Sequence, residues 1–340
     1  MERFEHVSVF YPRGVRTGGP EALHQLVDAL RALGHDAALV PMPGTEGRGR
    51  VAEYDRYDAP QRDTARTGPR DAVVTPEVWV PRPAVVGHAT WFCWWLSVDN
   101  SPVFMDARRR AGQHPRRPLA AVMRALPRTA VRRVRGPARR RRLGTAVHVA
   151  QSVYARDVVA REFGATVELL SDYVTATPLA RDPRAGGTRL AVIAFNPAKG
   201  GELVEKVAAR LSTPVQWLPI AGMSPDQVGE ALRRSDVYLD LGHLPGKDRI
   251  PREAALHGAV TLLAARGAGA NPRDFPLPAE HRIPVGTDLV GSAVDILEQV
   301  LADLPGHTRR QQGFRSLLER ERMLFADEVR TVFGSPGPPP

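Results

Sequence analysis

The sequence predicts an α/β protein built from two tandem doubly wound domains, on three observations. Short apolar segments of strand length alternate with amphipathic helical ones along most of the chain, the pattern of parallel sheets with helical crossovers. That alternation stops at a turn-rich stretch near the middle and then starts afresh. The chain also has 340 residues, 43% of them hydrophobic, which is enough for two cores when a domain takes about 100–200 residues.

His6 to Tyr11 alternates in polarity as a strand does. The loop Pro12 to Gly19 follows, and Pro20 opens a helix whose stripe is Ala22, Leu23, Leu26, Val27, Leu30 and Leu33. Gly34 suits its C-terminal end, and Ala37 to Val40 is the next strand. Thr45 to Arg70 is a polar excursion; Ala72 to Thr75 and Ala84 to Gly87 are expected as the third and fourth strands. Beyond the aromatic run ending at Leu96, Ala146 to Ala150 is a strand, Tyr154 to Phe163 a helix and Thr166 to Leu170 a strand.

Arg181 to Thr188 reads as the linker, after which the pattern repeats. Strands are expected at Leu190 to Phe195, Val215 to Ile220, Asp236 to Leu241 and Val260 to Ala264. Helices are expected at Gly201 to Leu211, Pro225 to Arg234, Arg252 to His257, Leu289 to Leu301 and Gly313 to Val332. The expected domains are 1–180, with an arginine-rich insertion at 103–142, and 188–312. A C-terminal helix at 313–333 and a disordered proline-rich tail at 334–340 complete the chain.

The net charge of +10 is concentrated. Fourteen arginines and one acid, Asp106, lie between Val103 and Arg142, a local charge of +13 that leaves the remainder near −3. Only three lysines occur, Lys199, Lys206 and Lys247. No run of about 18 apolar residues is present, so no transmembrane helix is expected. Met1 to Phe10 has no signal-peptide pattern. A single cysteine, Cys93, fits a reducing cytoplasm, and its place among Trp91, Phe92, Trp94 and Trp95 suggests a buried, inert thiol.

Doubly wound sheets bind ligands beyond the carboxyl ends of their strands, near helix N-termini, so the strand-to-helix loops hold the candidates. Arg16-Thr17-Gly18-Gly19-Pro20-Glu21 is the first. Its paired glycines either admit an anionic or sugar ligand close to the backbone or serve a tight turn needing positive φ. It lacks the GxGxxG spacing of a dinucleotide fold. The second, Asn196-Pro197-Ala198-Lys199-Gly200-Gly201, aims an ammonium at the helix start, where it could meet a diphosphate or simply be solvated. The third is Gly246-Lys247-Asp248-Arg249-Ile250-Pro251-Arg252-Glu253. Glu253 there could accept hydrogen bonds from a ribose or act as a first-turn capping carboxylate.

In order and spacing these loops, with Pro251-Arg252-Glu253-Ala254-Ala255-Leu256-His257-Gly258 before a strand, resemble the retaining, family-4-like GT-B glycosyltransferases over roughly Val7 to Ala265. The resemblance implies two Rossmann-like domains with a cleft between them and a nucleotide-sugar donor held by the second. It implies that Lys199 and Gly200 meet the diphosphate, that Glu253 holds the ribose, and that His88, after the strand expected at Ala84 to Gly87, is the catalytic histidine. Gly18, Gly19, Arg16 and Asp99 would line the cleft. Pro245 and Ala194 stand where the family often has a glutamate and an arginine, and Lys247, Arg249 and Arg16 are candidates to replace the missing positive charge. Fixed positive charge would stabilise the leaving diphosphate. Neither a metal nor another cofactor is expected, since Asp240, His243 and Asp248 lack ligand spacing.

Within the basic insertion, Pro118 to Arg135 scatters apolar residues at helical spacing among arginines. Such a stretch suits an anionic membrane surface, which would put a cytoplasmic enzyme at the inner face of the membrane beside a glycan or lipid-linked acceptor. A solvated insertion is the alternative, and nucleic acid is disfavoured for want of interleaved aromatics. Two other readings stay open on the same fold: a catalytically weak accessory or binding protein, and a nucleotide-sugar epimerase.

Overall fold

The computed structural model describes residues 4–104, 138–174 and 190–334. The chain divides into two compact units, Met1–Ser171 with Phe325–Pro340, and Asp172–Leu324. Each is built on one wholly parallel sheet.

In the first unit β1 (His6–Tyr11), β2 (Asp36–Pro41), β3 (Ala72–Pro76), β4 (Thr90–Trp95), β5 (Val147–Ala150) and β6 (Val167–Leu169) lie in the order β2-β1-β3-β4-β5-β6. Helix α1 (Gly18–Ala32) crosses from β1 to β2, α2 (Pro83–Val86) is one turn before β4, and α3 (Val153–Phe163) joins β5 to β6. In the second unit β7 (Ala191–Phe195), β8 (Val215–Pro219), β9 (Val237–Asp240), β10 (Val260–Ala264) and β11 (Arg282–Ile283) run β11-β10-β9-β7-β8. Its helices are α4 (Gly201–Ala208), α5 (Pro225–Arg234), α6 (Arg249–Leu256), α7 (Leu289–Ala302) and α8 (Leu304–Arg310). The last helix, α9 (Gln312–Phe333), begins in the second unit and ends in the first. The first sheet has the 2-1-3-4-5-6 strand order and the second 2-1-3-4-5, so the direction of winding reverses once in each, between β1 and β3 and between β7 and β9. A crevice forms beyond the carboxyl ends of the strands at such a reversal.

One expected element is corrected. Ala84 to Gly87 is not a strand: residues 83–86 form α2, with Pro83 in its first turn, and Gly87 leaves it at φ +58. The fourth strand is the aromatic run itself. It escapes alternation because a central parallel strand is buried on both faces. Trp91, Cys93 and Trp95 pack on one side against Phe10, Val98 and Leu143. On the other, Phe92 and Trp94 lie against Phe333 and Phe325 at ring separations of 4.9 and 6.4 Å. Each buried indole N–H donates to an acceptor: Trp91 to Thr75 Oγ1 (2.9 Å), Trp94 to the Leu170 carbonyl (2.8 Å) and Trp95 to His148 Nδ1 (3.0 Å). The run is core. Cys93 is fully buried, and burial pushes its thiol pKa well up, as expected of an inert cysteine.

A second buried polar cluster ties α8 and α9 to β10. Gln311 donates to the Thr261 carbonyl and accepts from the Thr261 amide, at 2.8 and 3.0 Å. It also lies 2.8 Å from His281 Nδ1, while His281 Nε2 and His307 Nδ1 are 2.7 Å apart. Burial drives the His281 pKa down from 6.5 to about 4, helped by His307, and burial alone does the same at His148. A histidine whose folded pKa is depressed supports the fold fully above its unfolded pKa. That support is lost as pH falls from about 6.5 towards 4, up to roughly 3 kcal/mol per group. His281→Asn is therefore expected to flatten the acid limb of a urea-midpoint profile; an unchanged limb would rule this out.

Candidate active site

The carboxyl edge of the second sheet is assembled by two loops at its reversal point. The loop leaving β7 turns through Asn196, whose Oδ1 accepts the Ala198 amide at 3.0 Å, and enters α4 through Gly200 at φ +76. A Cβ on Gly200 would stand 2.9 Å from the Leu241 carbonyl carbon, and one on Gly242 would stand 2.9 Å from Lys199 Cβ. The loops after β7 and β9 thus touch backbone to backbone, and only glycine permits it at Gly200. Gly200 was legible as a turn residue; Gly242 was not singled out, because its partner is forty residues away in sequence.

Lys199 leans over the carboxyl end of β9. Its ammonium is ion-paired with Asp248, and the Asp240 carboxylate lies buried beneath. Burial lowers the Lys199 pKa while Asp240 pulls it back up. Burial likewise raises the Asp240 pKa, against the pull of Lys199. The Asp240 carboxylate accepts the Gly242 amide at 2.9 Å and the Tyr238 hydroxyl at 3.3 Å.

Asp248 immediately precedes α6, which starts at Arg249, three residues before the expected start at Arg252. Pro251 is tolerated inside it because the first four amides of a helix have no intrahelical partner. The earlier start moves Glu253 out of the first turn, which removes the helix-capping alternative. Lys199 and Glu253 therefore belong to adjoining segments at one edge of one sheet.

The other two cations of this loop are already matched. Lys247 Nζ donates to Glu321 at 2.9 Å; Arg249 lies 3.4 Å from Glu253 and 3.9 Å from Asp172. Lys247 and Arg249 share the carboxylates Glu321 and Asp172 with Arg252, a wholly buried guanidinium that no sequence motif sets apart from its neighbours. Arg252 donates to both oxygens of Asp172 (2.8 and 2.9 Å), to Glu321 (2.8 Å), and to the Lys247 and Asp248 carbonyls (2.8 and 3.2 Å). Burial alone would lower the Arg252 pKa, but Asp172 and Glu321 raise it instead. The 247–248 turn is thereby fixed from within.

In the first unit the expected residues separate. Gly18 and Gly19 are at the carboxyl edge, in the first turn of α1, and neither has positive φ. Arg16, also there, is exposed and paired with Glu53 at 2.8 Å. Asp99 follows β4 in a 3-10 turn but is buried, accepting the Tyr154 hydroxyl at 2.9 Å. His88 is elsewhere. It precedes β4 instead of following a strand, is exposed, and its amide donates to the Thr67 carbonyl, at the amino edge of the sheet. His88, which the resemblance offered as the catalytic histidine, is therefore not placed after a strand as expected.

A residue the sequence reading missed occupies that carboxyl edge. Glu77, directly after β3, is buried and accepts the Leu96 and Ser97 amides, both at 3.0 Å, holding the turn after β4. Burial raises its pKa to about 7, against those two amides. A carboxyl group with a raised folded pKa favours the fold below its unfolded pKa and loses that contribution as pH rises through the folded value. Glu77→Gln should therefore trail the wild type most near pH 5, the gap narrowing by up to roughly 3 kcal/mol towards pH 8 in urea titrations. A constant gap would mean that Glu77 does not titrate in that window.

No family model and no curated protein matches the sequence. Solved structures match nearly end to end. HepE of Anabaena in complex with UDP-glucose superposes with a TM-score of 0.63 at 9% identity, covering 97% of this chain and 100% of that one. Sucrose-phosphate synthase of Thermosynechococcus elongatus gives 0.57 at 13% identity, over 97% and 95% of the two chains. WaaG, a glycosyltransferase involved in lipopolysaccharide biosynthesis, gives 0.58 at 12%, over 95% and 99%. The fold is GT-B. Identities this low leave the GT-B likeness in the backbone alone. Among the described residues, no helix of this GT-B chain is long and apolar enough to cross a membrane.

Proposed function

We propose that the chain is a metal-independent glycosyltransferase whose nucleoside-diphosphate-sugar donor sits at the carboxyl edge of the second sheet. The observation that carries this reading is the meeting of the 196–200 and 241–248 loops at the strand reversal, with Lys199 at their junction. There the ammonium and the first amides of α4 would face the diphosphate, and Glu253 the ribose. As the sugar leaves, the same charge would stabilise the departing nucleoside diphosphate in a site needing little reorganisation. Gly18 and Gly19 are proposed for the acceptor side. HepE with UDP-glucose, and with UDP and glucose, makes a hexosyl donor of the UDP type the first to try.

A glycan or lipid-linked acceptor is proposed on the basic stretch 103–142, of which residues 105–137 lie outside the described residues. On this reading the enzyme is cytoplasmic and peripheral to an anionic membrane. Co-sedimentation with anionic but not neutral liposomes would support that placement; equal, negligible binding to both would end it.

The pairing of Lys199, Lys247 and Arg249 with carboxylates favours one rival, a weak binder without turnover. A panel of UDP-, ADP- and GDP-sugars in a thermal-shift assay, followed by hydrolysis and transfer assays, separates the two. Stabilisation with turnover supports the enzyme. Stabilisation without turnover on any acceptor favours the rival, and no stabilisation by any donor refutes both.

A further inference from the structure

Asp248 stands in the N-cap position of α6, yet its side chain makes no capping hydrogen bond there. It turns instead to the Lys199 ammonium, 30% of whose side chain is exposed, against 23% for Asp248. An aspartate at an N-cap ordinarily accepts from the helix amides, and here the carboxylate is directed at the lysine instead. The Asp248 backbone is not free to follow a moving ligand, because its carbonyl and that of Lys247 are held by buried Arg252. With that turn fixed, the pair separates by rotation of a side chain, Asp248 or Lys199. Beneath it Asp240 is buried and fixed by Gly242 and Tyr238. Among the described residues, the Lys199 ammonium thus meets Asp248, whose side chain has no hydrogen bond to its own helix, and the fixed Asp240 carboxylate.

We propose that Asp248 is a displaceable anionic latch on Lys199, occupying the position of a donor phosphate, so that a diphosphate binds only by rotating Asp248 away. This rests on the donor reading above and adds to it a residue that sets the affinity. A carboxylate and a phosphate cannot share one ammonium without like-charge repulsion. The donor therefore gains the Lys199 contact only after the Asp248 contact is broken. Released, Asp248 can return to its own helix amides, which offsets part of that loss.

Asp248→Asn keeps the size and the capping capacity while removing the charge. UDP and inorganic pyrophosphate are titrated by calorimetry against wild type, Asp248→Asn and Lys199→Ala in the full chain. In parallel, amine acylation is followed by mass spectrometry, with exposed Lys206 as internal reference in a chain of only three lysines. The latch predicts that Asp248→Asn binds at least fivefold tighter, that Lys199→Ala binds weaker, and that acylation of Lys199 speeds up several-fold once its anionic partner is gone. Unchanged or weaker binding by Asp248→Asn, with Lys199→Ala still weakened, overturns the latch and leaves the donor reading standing. If neither probe binds any of the three, the donor reading fails and the latch falls with it. Where the probes do bind, an unchanged acylation rate of Lys199 in Asp248→Asn also overturns the latch.

Discussion

Arg252→Ala is expected to destabilise the second unit by about 3–5 kcal/mol, because it strands two carboxylates in the interior. Asp172 and Glu321 are both buried, and their nearest compensation is the Arg252 guanidinium. Arg249 at 3.9 Å and Lys247 at 2.9 Å would still face them, but from partly exposed positions. The turn that carries Lys247 and Asp248 would lose two donors to its carbonyls as well. Removing the whole set, with Arg252→Met, Asp172→Asn and Glu321→Gln together, should recover much of the loss, since a buried ion network replaced by neutral groups of similar volume is often tolerated. Urea unfolding checks both. A loss below about 1 kcal/mol for the single variant would show that the network is solvated in solution.

The second large effect falls on binding. Lys199→Ala should weaken a nucleoside diphosphate about 10- to 150-fold, the value of a charge-assisted hydrogen bond of roughly 1.5–3 kcal/mol at about 1.4 kcal/mol per tenfold. A nucleoside alone should lose almost nothing. Equal weakening of nucleoside and diphosphate, measured by calorimetry, would mean that the variant damages the pocket instead of removing one contact.

Much of the architecture was legible because it rests on local pattern. The helix Pro225–Arg234 and the strand Val260–Ala264 fall where the sequence places them. Pattern failed where burial erased periodicity. The run from Trp91 to Trp95 is apolar on both faces, so Ala84-Val85-Val86 looked more like a strand than the strand did. That one displacement carried His88 from the carboxyl edge of the sheet to the amino edge.

At the candidate site, Lys199 and Gly200 were readable because loop, helix start and lysine are contiguous. Arg252 was not, since its meaning comes from Asp172 and Glu321, eighty and sixty-nine residues away. Glu77 escaped for the same reason. A glutamate after a strand looks solvated until its acceptors' donors, the amides of Leu96 and Ser97, are brought to it by sheet pairing. Charge bookkeeping at Lys247 and Arg249 also depended on partners that no spacing reveals.

Amide hydrogen exchange on the full chain, with and without saturating nucleoside diphosphate (UDP, ADP and GDP in turn), reads the central claim most directly. A diphosphate cradled between the β7 and β9 loops should slow exchange at 196–204 and 241–249 for at least one of the three nucleotides, and Lys199→Ala should abolish that protection. Protection confined to peptides of the first sheet, or none with any nucleotide, would contradict the account.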